Sequence, residues 1–259
     1  MTPEELAGSG LTYAVEGAVA TITLDRPEVR NAQTPRMWRA LAAIGAEIPD
    51  GVRVVLVRGS GPSFSAGLDR SLLAGPGEDS VAAMMSLPDE EMAEVIEAFQ
   101  AAFTFLRDPR FVSVAVVQGH AIGAGFQLAL SCDLRVVSDD ARFSMSESAL
   151  GLVPDLTGTK PLVECVGYAR ALEICTTARE VGAAEAAAIG LATVVCPPGE
   201  VDGAVADLVG ALTAPPAGAV RETKALLLGA SSRTLDEQRR HEREAQVRRF
   251  RELSQTMRG

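Results

Sequence analysis

A β-rich run, Val112-Ser113-Val114-Ala115-Val116-Val117, leads into Gln118-Gly119-His120-Ala121-Ile122-Gly123-Ala124-Gly125-Phe126-Gln127 and then Leu128-Ala129-Leu130-Ser131-Cys132-Asp133. A short apolar run, small residues at its exit and a helical pattern behind them predict strand, tight turn, helix. The first backbone N–H groups of such a helix have no intrahelical partner and lie at the positive end of its dipole. Groups of this kind can hold a developing negative charge. Further on, Phe143-Ser144-Met145-Ser146-Glu147 carries a carboxylate past another apolar stretch, and Asp155 follows in Gly151-Leu152-Val153-Pro154-Asp155-Leu156-Thr157-Gly158. The expectation is a pair of backbone donors beside one or two acid/base carboxylates.

Three motifs in order carry a resemblance. They are Leu24-Asp25-Arg26-Pro27 with Asn31-Ala32, then Ser63-Phe64-Ser65-Ala66-Gly67-Leu68-Asp69, then Ala121-Ile122-Gly123-Ala124-Gly125 before the helix that ends in Cys132-Asp133. With Glu147 also in place, the chain resembles the crotonase (enoyl-CoA hydratase/isomerase) superfamily from about Val19 to its C-terminal helices. The resemblance implies an α/β fold with a core of repeated ββα units, expected over residues 1–195. It also implies a C-terminal helical oligomerisation region over 196–259 that builds a trimer, two of which commonly stack as a hexamer.

The resemblance further implies roles. The N–H groups of Leu68 and Ala124 would form the oxyanion hole for an acyl-CoA thioester, with Ala124 standing where the family usually has glycine. Arg26, Arg30, Asn31, Ala32, Ala66 and Asp69 would bind CoA. Glu147 matches the carboxylate that moves protons at carbon, with Phe143, Leu152 and Val153 as expected apolar walls. Gln127 stands where hydratases carry their other catalytic glutamate. An amide orients water but cannot take its proton at neutral pH. The spacing of Glu147 and Asp155 is similar to that of dienoyl-CoA isomerases, in which such a pair relays a proton; alternatively Asp155 caps the next helix. Two functions stay open. One is an enzyme of the hydratase or isomerase type, with Glu147, Asp155 and Gln127 as its catalytic residues. The other is an acyl-CoA-binding protein with little or no hydratase activity, because Gln127 replaces the glutamate.

In chain order, Ala18–Leu24 alternates as a half-buried strand ended by Pro27. Met37, Leu41, Ile44 and Ile48 repeat at helical spacing, with Trp38 as packing beside them. Val52–Val57 predicts a strand buried on both faces, so strand, helix, strand argues for a right-handed crossover. Residues 71–88, with Gly75-Pro76-Gly77, predict a mobile loop or short helix at a site mouth. Asp89 could cap a helix carrying Met92, Val95, Ile96, Phe99, Phe103 and Leu106. Helices are expected at Ala169–Thr176, Ala183–Ile189, Val201–Leu212, Ala217–Leu228 and Leu235–Leu253, with Thr193–Cys196 extended.

Charge narrows the partners. The net charge is −10 over 259 residues, against general nucleic-acid binding. Residues 221–259 hold ten Arg/Lys against six Asp/Glu, so the body is more acidic than the whole and the tail is basic. That tail suits a local anionic partner such as CoA phosphates, or is a solvated, charge-laced helix face. No membrane span or signal peptide is read, which predicts a soluble cytoplasmic protein. Cys132, Cys165, Cys175 and Cys196 lack paired spacing and are expected as buried free thiols. His120 and His241 are the two histidines, and His120 is expected to pack. Neither a metal-binding motif nor a nucleotide loop occurs, so no cofactor is expected beyond the CoA carried by a substrate.

Overall fold

The computed structural model describes residues 1–74, 77 and 79–257. The expected turn at Gly75-Pro76 lies outside them. On either side are short helices at Ser71–Ala74 and Val81–Met85.

Among the described residues, nine strands build two sheets: β1 (Leu11–Glu16), β2 (Val19–Leu24), β3 (Val54–Gly59), β4 (Val112–Val117), β5 (His120–Ile122), β6 (Leu134–Ser138), β7 (Arg142–Ser144), β8 (Val181–Gly182) and β9 (Val194–Cys196). The larger sheet has the order β1-β2-β3-β4-β6-β9 and the smaller β5-β7-β8. The pairs β2–β3, β3–β4, β4–β6 and β6–β9 are parallel, and the β1–β2 hairpin is antiparallel.

Parallel strands buried on both faces explain the unbroken apolar runs of β3 and β4. Val55, Val57, Ala115 and Val117 join the main core with Ile22, Leu24, Leu41 and Phe103. Val54, Leu56, Val114, Val116 and Val136 point the other way and meet Val201 and Val205 of the helix Val201–Thr213. That helix therefore closes the second face of the sheet. The boundary expected at 195/196 falls within β9, and the helix Val201–Thr213 beyond it packs on the sheet.

A ββα rhythm is visible in the pairings. β4 lies in the larger sheet, β5 in the smaller, and the helix Ala124–Ser131 follows; β6 and β7 repeat the division. Ser65, after β3, bridges in parallel to Ala121 of β5. These two turns each send one strand to each sheet, and the glycine turns at Gly67 and Gly123 lie where the chain crosses between them.

The first long helix, Pro35–Glu47, starts at Thr34, whose hydroxyl accepts from the Met37 N–H at 3.2 Å, with Pro35 as its first residue. It buries Met37, Trp38, Leu41 and Ile44, and Trp38 packs on Phe99 and Phe103 of the helix Asp89–Thr104. Asp89 is the first residue of that helix, not its cap; Pro88 precedes it and offers no side-chain acceptor. Of the four cysteines, Cys132 alone is fully buried, its thiol pushed up to about 12 by burial, and the others are half-buried. Among the described residues, no single helix is long and apolar enough to cross a membrane.

Candidate active site

Two glycine turns meet at the centre. Gly67 has φ 86°, and a Cβ on it would lie 2.6 Å from the Ile122 carbonyl oxygen and 3.6 Å from the Ala124 nitrogen. Only glycine permits both that φ and that approach. Gly123, with φ 51° and ψ −118°, turns the chain from β5 into the helix Ala124–Ser131. Its N–H donates to Ser144 of β7 at 2.8 Å.

The backbone direction of Leu68 follows from its neighbours. Gln33 N–H donates to the Gly67 carbonyl at 2.7 Å, and Asp69 N–H donates to the Gln33 carbonyl at 2.8 Å. Residues 67 and 69 therefore face Gln33, and the N–H of Leu68 faces away. The N–H of Ala124 is the first of its helix. Neither N–H has an acceptor among the described residues. A chain of buried polar groups fixes the first turn: Trp38 Nε1 donates to Gln33 Oε1 at 2.7 Å, Gln33 Nε2 to Ser65 Oγ at 3.1 Å, Ser65 Oγ to the Asn31 carbonyl at 2.8 Å and Gly67 N–H to Ser65 Oγ at 3.2 Å. Trp38 is thus packing and, through its indole N–H, part of this scaffold.

A cavity of about 610 Å³ opens beside the turns. Of the residues expected at CoA, Arg30, Ala32, Ala66 and Asp69 line it, together with Leu68. Arg26 and Asn31 serve the scaffold. Arg26 pairs with Asp69 at 2.9 Å and donates to the Ala32 carbonyl at 2.7 Å. Asn31 is fully buried in a left-handed conformation, φ 54°, and its amide nitrogen donates to the Ser60 and Ser63 carbonyls. Its side chain cannot touch a ligand from there. His120, expected to pack, is half-buried and lines the cavity with Nδ1 3.4 Å from Ser63 Oγ. Ser146 lines it as well, its hydroxyl 2.8 Å from that of Ser144.

Glu147 opens a short 3₁₀ turn directly after β7. A Cβ on Gly123 would lie 3.3 Å from Glu147 Oε1, so the carboxylate sits against the turn that begins the helix Ala124–Ser131. Oε1 accepts from Gln127 Nε2 at 2.7 Å, whereas Oε2 is buried without a hydrogen-bond partner among the described residues. Burial lifts the Glu147 carboxyl above the ordinary carboxylate value; its own backbone N–H and Gln127 oppose this, and the charge of Asp155 adds to it. The expected apolar walls differ. Phe143 is fully buried against Phe126, but Leu152 and Val153 are 45 % and 72 % exposed.

Gln127 is fully buried, and its Oε1 accepts from the Leu156 and Gly158 N–H groups at 2.9 and 3.2 Å. Its amide joins Glu147 to the 155–158 loop, a link invisible in the sequence except as a lone amide in an apolar helix. Asp155 stands on that loop at the solvent edge, its carbonyl accepting from Gln100 Nε2 at 2.7 Å. The surrounding protein raises its carboxyl pKa, within the limit that open water sets. Asp155 is not a helix cap: the helix Thr159–Val166 is preceded by Gly158 and receives no side-chain cap. Among the described residues, no three His, Cys, Asp or Glu side chains cluster as a metal would need.

The arrangement thus offers two free backbone donors, a buried carboxylate with one open oxygen, a second carboxylate near it and an adjoining cavity. A Thermobifida fusca YX protein of the enoyl-CoA hydratase class, crystallised with acetoacetyl-CoA, superimposes with a TM-score of 0.93 at 52 % identity, covering 97 % of this chain and 98 % of its own. Another structure of an enoyl-CoA hydratase-class protein from that organism holds CoA. A peroxisomal Delta(3,5)-Delta(2,4)-dienoyl-CoA isomerase of Arabidopsis thaliana is 32 % identical over 82 % of this chain and 78 % of its own length. The probable enoyl-CoA hydratase echA8 of Mycobacterium tuberculosis is 30 % identical, and the chain spans 65 % of its length. The enoyl-CoA hydratase/isomerase family profile matches residues 14–258, and this chain belongs to that family.

Proposed function

We propose that the protein acts on an acyl-CoA thioester by forming its enolate and moving a proton along the acyl chain, so that double-bond migration outpaces hydration. The thioester oxygen would accept from the N–H groups of Leu68 and Ala124. In oxyanion sites generally, one such donor is worth about 3 kcal/mol in the transition state. Glu147 would remove a proton from carbon, leaving the electron pair delocalised into the thioester oxygen. Glu147 itself would return that proton further along, or a protonated Asp155 would give its own and be reprotonated from solvent while Glu147 releases its proton to solvent, and the double bond would shift with it. The CoA carried by the substrate is the only cofactor this chemistry asks for.

The observation that carries this reading is the state of Gln127. Its oxygen serves two backbone N–H groups and its nitrogen serves Glu147, so it has nothing with which to deprotonate water. The likeness to the dienoyl-CoA isomerase favours the same reading. The test is a panel of 2-enoyl-, 3-enoyl- and 3,5-dienoyl-CoA thioesters in heavy water, followed at the conjugated thioester band and by deuterium in the product. Deuterated, isomerised product should form faster than any 3-hydroxyacyl-CoA. Hydration as fast as exchange would overturn the isomerase preference. Binding without exchange on any thioester would leave a binding protein.

The proposal includes self-association as a trimer or a dimer of trimers. On the helix Leu235–Thr256, Val247, Phe250 and Leu253 are 47 %, 62 % and 47 % exposed, an apolar stripe more useful against a second copy than in water.

A further inference from the structure

We propose that Gln127 is a positioning residue that selects the working oxygen of Glu147: it holds Oε1 and leaves Oε2 as the oxygen that exchanges protons. The role in turnover rests on the acyl-CoA reading above; the hydrogen-bond relationship does not.

The amide has one possible orientation here. Two backbone N–H donors, from Leu156 and Gly158, converge on one terminal atom of Gln127, which must therefore be the oxygen. The other terminal atom is then the nitrogen, and it donates to Glu147 Oε1 at 2.7 Å. The loop thus sets the amide and the amide sets the carboxylate. Room for adjustment is small: a Cβ on Gly158 would lie 2.6 Å from Gln127 Cγ. Oε2 of Glu147 is left buried and unpartnered among the described residues, an arrangement that costs stability and so calls for a functional reason.

A carboxylate that receives an N–H bond on one oxygen keeps its basic lone pairs on the other. The same bond favours the ionised form against the burial that disfavours it. A glutamate at position 127 could still accept from Leu156 and Gly158, but its second oxygen would face Glu147 Oε1 without a proton to donate. The two carboxyls would then share one proton. The other groups that act on Glu147 are Asp155 from the loop, Cys175 from the helix Tyr168–Thr177 and the positive end of the helix Ala124–Ser131. Gln127→Glu keeps an acceptor for the Leu156 and Gly158 N–H groups, so it leaves the loop that carries Asp155 in place.

The test is a carboxyl-carbon NMR titration of the full chain, with the Glu147 signal assigned by its loss in Glu147→Gln. In Gln127→Glu the Glu147 titration should move up by about one unit or more, the behaviour of coupled carboxyls. In Gln127→Met, which lacks the donor, it should move up by less. In the wild-type protein the side-chain amide signals of Gln127 should titrate together with Glu147. This last arm needs no variant to fold. Flat Gln127 amide signals, or a Glu147 titration unmoved in folded Gln127→Glu, would overturn the proposal. None of these readings requires a substrate. Correct titrations without turnover would sink the acyl-CoA reading alone, and turnover with unperturbed titrations would sink the positioning role alone.

Discussion

Lys224 and Asp133 are 91 residues apart in the chain and form an ion pair of 2.7 Å beneath the helix Ala217–Ala230. Lys224 is 8 % exposed, and its amine also donates to the Phe111 carbonyl at 2.8 Å. Asp133 completes its shell with the N–H and hydroxyl of Ser113. The pair pins a C-terminal helix to the strand β4 and to the end of the helix that Gly123 starts.

Lys224→Met should therefore destabilise the fold by about 3 kcal/mol, the low end for breaking a buried pair, because it leaves the half-buried Asp133 without its counter-charge. Urea unfolding read by circular dichroism measures this. A loss below about 1 kcal/mol would mean that water or Ser113 already compensates Asp133.

Gly67→Ala tests the close approach of the two turns. The added methyl would need space occupied by the Ile122 carbonyl at 2.6 Å, at a φ of 86° that alanine avoids. Strain of this kind is on the order of 1–3 kcal/mol. Relief would move the Leu68 N–H, so turnover should fall by about 10²-fold, the usual result of losing one such donor. A folded variant with undiminished turnover would show that Leu68 N–H does not act on the substrate.

Glu147→Gln should abolish proton transfer at carbon while leaving acyl-CoA binding largely intact. It should also change stability with a definite sign. The folded-state carboxyl is raised above the ordinary carboxylate value, chiefly by burial. The folded protein therefore binds the proton more tightly than the unfolded chain does. Its contribution to stability is present at low pH and is lost as pH rises through the folded-state value. The melting temperature of Glu147→Gln relative to wild type should rise across that window and then level off. A difference that shrinks as pH rises would contradict a raised Glu147.

The fold was most legible where burial is continuous. β3 and β4 are apolar on both faces, so their runs stand out in the sequence, and the glycine turns announce themselves because few residues fit there. β1 passed unnoticed because only Leu11 of its six residues is buried. β5, β7 and β8 are two or three residues long and exist only through partners distant in the chain. At the site, the motifs drew attention to Glu147, Leu68 and Ala124, whereas the side-chain hydrogen bonds of Asn31 and Gln127 had no signal in them. Both depend on which backbone groups the tertiary fold leaves in need of a partner. Lys224 is the last charge before Ala225-Leu226-Leu227-Leu228, but its partner lay beyond any local pattern.

Phe250→Asp tests the stripe on the last helix. In isolation this exposed change should alter protomer stability by about 0.5 kcal/mol or less. If the stripe packs on a second copy, light scattering should shift from a trimer or hexamer of a 27.1 kDa chain to the single chain. A wild-type protein that scatters as a monomer at micromolar concentration would remove the assembly.

Asp155→Asn separates migration from hydration. Asp155 caps no helix, lies near enough to Glu147 for its charge to raise that carboxyl, and sits on the loop that Gln127 anchors. Two carboxylates beside one acyl chain can divide a proton transfer, one removing the proton and the other returning it at a distant carbon. Asparagine keeps the size and hydrogen bonding of the side chain but cannot carry the proton. With Gln127 fully engaged, hydration has no carboxylate at 127 to lose. The variant should therefore reduce deuterium transfer and double-bond migration on a 3,5-dienoyl-CoA by about 10²-fold or more, the scale of one acid/base group. Residual hydration of a simple 2-enoyl-CoA should change far less. Removing the Asp155 charge should also bring the Glu147 titration down, which carboxyl NMR reads independently of turnover. If migration proceeds at the wild-type rate while Glu147 titrates lower, Asp155 acts only as a neighbouring charge and Glu147 carries both halves of the transfer.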